Sequence, residues 1–362
     1  MHRFGCAIPL RARRALALLA ALAAVALFAV PAARSQPLPA STGRPAADAA
    51  PADQAAGPRR GAAERFRASV VRVDTVAVEG APTVASLGAR RSGSGVILEP
   101  RLVLTIGYLL LEAESVEVTT ASGRRIPADV AGYDHATGFG LVRTVLPLDG
   151  ERMELGDSNT VQEHQKLLTI GQGEDEATEL YVLSRKPFVG SWEYLLERPI
   201  YTYPPVNNWS GSALITPQGK LVGIGSLIVN DAATEQRGIP GNLFVPVDLL
   251  KPILDDLRTA GRRRAPVQPW LGMATESVRG ALVVVRVARD GPAESAGIDR
   301  GDVVLALDGE PVADQADFYR RLWRVGPAGT EVTLRLRSGG TVREIRLRSI
   351  DRMDALSKPV GV

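Results

Sequence analysis

From Phe66 onward, short apolar, β-branched runs alternate with turn residues. Residues 69–73, 95–98, 102–105, 115–119, 166–170 and 221–228 form such runs, separated by Gly, Pro and Asn. Runs of this length are too short for stable helices and long enough for strands, so they predict an all-β barrel or sandwich. The clearest helical spacing in this part is over 247–259, where Leu249, Leu250, Ile253, Leu254 and Leu257 share one face and Gly261 supplies the stop. Residues 262–269 are polar and hold two prolines, which marks a domain boundary. A second unit of roughly 80 residues follows. Its predicted strands are 281–287, 303–307, 331–336 and 342–347, with a hairpin-type turn at Asp308-Gly309. Residues 317–325 predict an amphipathic helix presenting Phe318, Leu322 and Val325.

The N-terminus has a different character. Arg3, Arg11, Arg13 and Arg14 precede an uncharged apolar run over 15–30, and small residues follow around 32–35. That order reads as a cleavable export signal. The alternative is a retained anchor, but a run of 16 residues falls short of the ~20 a spanning helix needs. Residues 36–61 are Ala-, Pro- and Gly-rich without apolar periodicity, and so read as a flexible tether. The only cysteine, Cys6, lies ahead of the apolar run. A chain cut after residue 35 has no thiol for disulfides, metal or nucleophilic chemistry.

The net charge of +3 over 362 residues comes from that leader. Its five arginines removed, 38 basic face 40 acidic side chains, a net of −2. Such a balance excludes an electrostatic case for nucleic acid, and the run 262–264 reads as a solvated basic linker. No metal-ligand cluster or phosphate loop stands out, and no cofactor is expected.

Two stretches in the C-terminal unit carry a resemblance. Gly291-Pro292-Ala293, Ala296-Gly297-Ile298, Gly301-Asp302-Val303-Val304 and Asp308-Gly309 together resemble the signature of bacterial PDZ domains. Such domains add an extended peptide as a strand to a sheet edge and capture its C-terminal carboxylate on free backbone N–H groups. By resemblance the capturing loop and strand are Trp270, Leu271, Gly272 and Met273, and the opposite wall is the helix carrying Phe318 and Leu322.

About 190 residues upstream resemble the protease domain of the HtrA family. Gly93-Ser94-Gly95-Val96-Ile97-Leu98, Leu155-Gly156-Asp157-Ser158, Thr169-Ile170-Gly171 and residues 238–247 all match its segments. The reactive positions do not. Where the family has T-x-x-H the chain reads Thr105-Ile106-Gly107-Tyr108, so Tyr108 stands at the catalytic histidine. Within Asp134-His135-Ala136-Thr137-Gly138-Phe139, Gly138 stands at the catalytic aspartate. Asn207-Asn208-Trp209-Ser210-Gly211 replaces P-G-N-S-G, which keeps the nucleophile at Ser210 and puts Asn208 at the oxyanion-hole position.

A serine hydroxyl needs a neighbouring base to take its proton, and histidine suits because it titrates near neutrality. Tyrosine, with a reference pKa of about 10, is a poor acceptor at pH 7, and glycine orients nothing. Losing a member of such a triad costs roughly 10⁴-fold in rate. His135 is the nearest candidate for a substitute base, though it reads more simply as an exposed loop histidine; His164 reads as structural or solvent-facing. The expectation is a mostly β chain: a chymotrypsin/trypsin-like double β-barrel followed by a small PDZ-like β domain with helices. Its parts are a signal peptide (1–35), tether (36–61), degenerate protease domain (62–260), linker (261–268), PDZ domain (269–350) and tail (351–362). It is expected to be an exported pseudoprotease of the periplasm or envelope that binds peptides or protein C-termini. The resemblance also implies a homo-oligomer, often a trimer, or assembly with an active relative. The alternatives are hydrolysis by Ser210 with a non-standard base, or service as the regulatory subunit of an active protease.

Overall fold

Six of the predicted and unpredicted strands close on themselves. They are β1 (Val70–Ala77), β2 (Arg90–Glu99), β3 (Leu102–Ile106), β4 (Ala113–Thr119), β5 (Arg125–Tyr133) and β6 (Phe139–Thr144), paired antiparallel in the order β1-β2-β3-β6-β5-β4. Closure leaves no free sheet edge. The computed structural model describes residues 66–173, 177–264 and 266–357; the expected leader and tether lie outside them. Among the described residues no helix is long and apolar enough to cross a membrane.

The second barrel takes β7 (Lys166–Ile170), β8 (Thr178–Ser184), β11 (Ile200–Tyr203), β12 (Ala213–Ile215), β13 (Leu221–Val229) and β14 (Gly241–Pro246), again antiparallel and closed. Between β8 and β11 a small hairpin stands apart from the barrel: β9 (Phe188–Gly190) and β10 (Tyr194–Leu196). One apolar cluster runs from Val73, Ile97 and Leu104 of the first barrel to Ile215 and Ile224 of the second. Strand β3 is therefore buried along its whole length, which is why its sequence is a continuous apolar run rather than an alternating one. A separate cluster, including Leu167, Val182, Leu214 and Phe244, is drawn from second-barrel strands.

The helix predicted over 247–259 is broken. Val247–Leu249 forms a 3₁₀ turn and Leu254–Ala260 an α-helix, with Pro252 between them. Proline lacks an N–H and disfavours helical backbone in the residue before it, so one continuous helix cannot run through. The predicted stop holds: Gly261 is left-handed at φ 72° and its N–H returns to Leu257 O.

The C-terminal domain is a sheet in the order β15 (Met273–Val278), β16 (Ala281–Val287), β17 (Val303–Leu307), β19 (Glu331–Ser338), β20 (Thr341–Arg348), with β18 (Glu310–Pro311) beside β17. Asp308 and Gly309 take φ of 48° and 85°, the two positive values a tight I′ hairpin turn requires. The main helix is Gln315–Val325, two residues longer than predicted. Asp314 extends it: its carboxylate accepts from Asp317 N at 2.8 Å, while Asp317 accepts from Ala313 N at 2.9 Å. This reciprocal cap satisfies N–H groups the first turn would leave unpaired. Phe318 and Leu322 are buried, but Val325 is exposed rather than presented to the core.

In the basic run 262–264, Arg262 and Arg264 are exposed as expected, and Arg263 is not. Arg262 meets Asp351 and Asp354, Arg263 grips buried Asp134 at 3.0 and 3.1 Å, and Arg264 lies near Asp256. The described tail, through the turn Arg352–Ala355, likewise returns to the first barrel, where Ser357 N donates to Glu112 at 2.8 Å.

Candidate functional site

Ser210 sits in the turn that opens into β12. Ser94 N of β2 donates to Ser210 O at 2.7 Å, and a Cβ on Gly93 would fall 2.7 Å from Ser210 Oγ. Gly211, at φ 73°, passes so close that a Cβ would lie 1.9 Å from Ser94 O. The glycine-serine-glycine strand therefore clamps the serine turn. The expected oxyanion position, Asn208, runs against Gly171, whose added Cβ would meet Asn208 O at 2.9 Å. The following carbonyl, Trp209 O, accepts from Ser212 N and Ser212 Oγ.

Tyr108 lies in the 3₁₀ turn Gly107–Leu109 directly after β3 and reaches the serine. Its hydroxyl donates to Ser210 Oγ at 2.8 Å and to Ser226 O at 3.0 Å. One phenol proton serves two acceptors; when it turns to Ser226 O, the serine hydroxyl is free to donate to the phenol oxygen. Neither arrangement removes the serine's proton. Burial pushes the Tyr108 phenol up to about 12, against the downward pull of its bond to Ser210. At pH 7 its phenolate fraction is then on the order of 10⁻⁵. The site holds a proton donor where deprotonation of serine needs an acceptor.

Gly138 closes the turn that starts at Asp134. Its N–H donates to Asp134 O at 2.8 Å, its carbonyl accepts from Gly107 N at 2.6 Å, and its φ is 81°. A Cβ there would stand 3.0 Å from Tyr194 Oη, which itself donates to Thr137 O at 2.7 Å. The space a side chain at 138 would enter is thus edged by the Tyr194 ring. The carboxylate that does stand in this loop, Asp134, is committed to Arg263 and to Thr137 N and Oγ1.

His135 is not the exposed loop histidine that the sequence predicts. It is half-buried between Tyr133 Oη (3.2 Å), Glu193 O (3.1 Å) and Arg352 Nη1, which lies 2.8 Å and 2.9 Å from its two ring nitrogens. Burial and the Arg352 charge hold its pKa well below the usual value. Among the described residues no hydrogen bond joins it to Ser210. His164 is exposed in the turn before β7, as expected.

In the C-terminal domain, the predicted loop residues do converge. Trp270 is held by a two-way backbone pair with Ile350. The next three N–H groups point at one carboxylate: Leu271 N donates to Glu193 Oε2 at 2.9 Å, and Gly272 N and Met273 N to Glu193 Oε1 at 2.8 and 3.0 Å. The facing helix meets the hairpin through apolar as well as polar side chains, with Leu195 in one cluster with Phe318 and Leu322. Phe318 and Leu322 belong to the domain's apolar core with Leu271 and Met273. The polar contacts to the hairpin come from Gln315, whose Nε2 donates to Gly190 O (3.4 Å), and Tyr319, whose hydroxyl lies 3.1 Å from Gly190 O and 3.2 Å from Ser191 O. Neither had been singled out. Their i, i+4 spacing on a helix beside a carboxylate-binding loop is the signal that could have found them.

Two closed antiparallel six-stranded barrels joined to a small sheet with a capping helix define a trypsin-fold domain carrying a PDZ domain. The trypsin-like peptidase domain family matches residues 93–224, and the PDZ domain family matches residues 269–348. In both domains the chain is similar to proteases of the HtrA type. It is 29% identical over 293 residues to a probable periplasmic serine endoprotease, DegP-like, of Halomonas elongata, covering 74% of this chain and 58% of that one. It is 27% identical over 266 residues to the putative serine protease HhoA of Synechocystis, covering 65% and 64%. The chain spans about half the length of the DegP-like relatives it matches. The solved HtrA-type protease AlgW with decapeptide shares the fold at TM-score 0.50 and 21% identity, covering 83% of this chain and 99% of that one.

Proposed function

We propose that this chain is a non-hydrolytic member of its family, exported to the cell envelope, where its PDZ domain binds the C-termini or extended segments of other proteins. The observation that carries the reading is the Tyr108 hydroxyl donating to Ser210 Oγ at 2.8 Å. A half-buried phenol with its pKa pushed up to about 12 gives the serine no base in the physiological range. Gly138 offers no carboxylate to orient one, and the bonds of Asp134 and His135 run to other partners. Three converging N–H groups at residues 271–273 support carboxylate recognition. The PDZ match and the solved structure of AlgW with decapeptide support peptides as the ligand class. The chain then acts as a scaffold, adaptor or holding factor. A homo-oligomer or a mixed assembly with an active relative, in which this chain is the regulatory subunit, follows from the family and is tested by co-purification.

The decisive test is hydrolysis of unfolded casein by the purified chain beside Ser210→Ala, with a serine-reactive fluorophosphonate as a second probe. Neither protein should cleave casein or take up the label. Turnover or labelling that disappears in Ser210→Ala would establish an unconventional base and overturn the reading.

A further inference from the structure

The three N–H groups that would capture a peptide terminus already hold a carboxylate of this same chain. Glu193 lies 78 to 80 residues before them in sequence and is 2% exposed. It ends the loop of the β9–β10 hairpin, in the left-handed region at φ 58°. That position in a three-residue hairpin loop favours glycine, and a side chain there costs about 1 kcal/mol. Turn chemistry alone therefore gives no reason for a glutamate. Its side chain supplies one, since both carboxylate oxygens are satisfied by the PDZ loop.

The rest of the hairpin follows the carboxylate into the groove between β15 and the helix Gln315–Val325. Ser191 O accepts from Thr275 N at 3.0 Å, a backbone bond to the edge strand that an added peptide would make. Gly190 O accepts from Gln315 Nε2 and Tyr319 Oη, and Glu193 N donates to Tyr319 Oη at 3.2 Å. Leu195 enters the PDZ core cluster beside Leu271, Met273, Phe318 and Leu322, with Val189 packed against it. At the rim, Glu197 pairs with Arg320 through two bonds of 2.8 Å. Carboxylate, edge-strand bond and apolar side chain are the three features of a peptide ligand, here on one hairpin.

We propose that the β9–β10 hairpin is a resident ligand of the PDZ groove, with Glu193 in the place of a peptide C-terminus, so that an external C-terminal peptide binds only by displacing it. The inference rests on the reading of this domain as a peptide binder. The occupant is covalently attached, and a tethered ligand competes at an effective concentration in the millimolar range. Each factor of ten by which that concentration exceeds the hairpin's own dissociation constant weakens the apparent affinity for an outside peptide tenfold. Displacement also frees the hairpin, which joins β8 to β11 of the second barrel. Peptide capture and the protease-fold domain are thereby coupled through one segment.

The test is fluorescence-polarisation titration of the full chain with a pool of labelled decapeptides, randomised except for a C-terminal Leu, Val, Ile or Phe with free carboxylate. The same pool amidated at the C-terminus is the control. Glu193→Ala should bind the free-carboxylate pool at least tenfold more tightly than the wild type, and neither should bind the amidated pool. Because Glu193 is buried, Arg320→Glu serves as a second variant. It breaks only the exposed rim pair, leaves the core untouched, and should tighten binding about threefold. Equal affinities in all three proteins would overturn the resident ligand while leaving the PDZ domain a peptide binder. Binding by none, with melting curves showing folded protein, would overturn the peptide-binding reading and the displacement proposal with it.

Discussion

Both reactive places in this chain are filled from within, but with opposite chemical sense. At Ser210 the intruding group is Tyr108, a donor set against a hydroxyl that would need an acceptor. At residues 271–273 the intruding group is Glu193, an acceptor set against three donors. The first mismatch is written into the covalent structure and no movement repairs it: swinging the phenol aside leaves serine still without a base. The second is a match, and a match between groups of one chain is reversible. On the proposed reading, the same fold holds one site disarmed by substitution and one closed by occupancy, and only the second is positioned to open.

The comparison is sharpened first by asking which residues of the groove wall are structure. Phe318 is fully buried in the PDZ core. Phe318→Ala should cost roughly 3–5 kcal/mol by emptying that volume, read as a large fall in the denaturation midpoint of this domain. A groove-wall role, as the sequence alone predicts, would instead move peptide affinity at nearly unchanged stability. That second outcome would show that the apolar cluster Phe318 shares with Leu195 acts as a binding wall rather than as core.

A smaller effect separates the two sites by pH. Burial pushes the Glu193 carboxyl up to about 7, against the pull of the three N–H donors and the Arg352 charge. The other groups facing it do not titrate alongside: His135 is held well below its usual value and Tyr319 above. A raised carboxyl pKa in the docked form means that docking takes up a proton. Docking is then strongest below the undocked value near 4.5 and weakens as pH rises towards 7. An external C-terminal carboxylate is ionised throughout this range. Relative to Glu193→Ala, the wild type should therefore gain on the order of 50-fold in apparent peptide affinity between pH 5 and 7.5. A flat wild-type profile would mean that Glu193 enters the groove already ionised.

Much of this was legible in the sequence, for identifiable reasons. Strand β3, the hairpin turn at Asp308-Gly309 and the stop at Gly261 are set by local patterning, and local patterning is what a sequence displays. The meeting of Tyr108 with Ser210 was legible because motifs of fixed length surround each of them. What escaped depends on partners far along the chain. Nothing near Glu193 points to a loop some 80 residues ahead, and nothing near 262–264 shows that Asp134 and Asp351 await its arginines. The break at Pro252 was a local signal outweighed by apolar spacing on either side. His135 looked like a surface residue because Arg352 and Glu193, which enclose it, come from other parts of the fold.

The mildest prediction returns to the disarmed site. Tyr108→Phe removes one hydroxyl and keeps the ring, so the apolar packing of the turn after β3 persists. The cost is the loss of bonds to Ser210 Oγ and Ser226 O, expected at about 1 kcal/mol in chemical denaturation. Ser226 O is left without this donor in a nearly buried place, which is why the effect is not zero. Reactivity of Ser210 toward a fluorophosphonate should not rise. Phenylalanine supplies no acceptor, and the serine loses only a neighbour that never took its proton. Were labelling to appear in Tyr108→Phe, the phenol would be a lock on an otherwise competent serine. Both sites would then be closed by occupancy, and the contrast between them would fail.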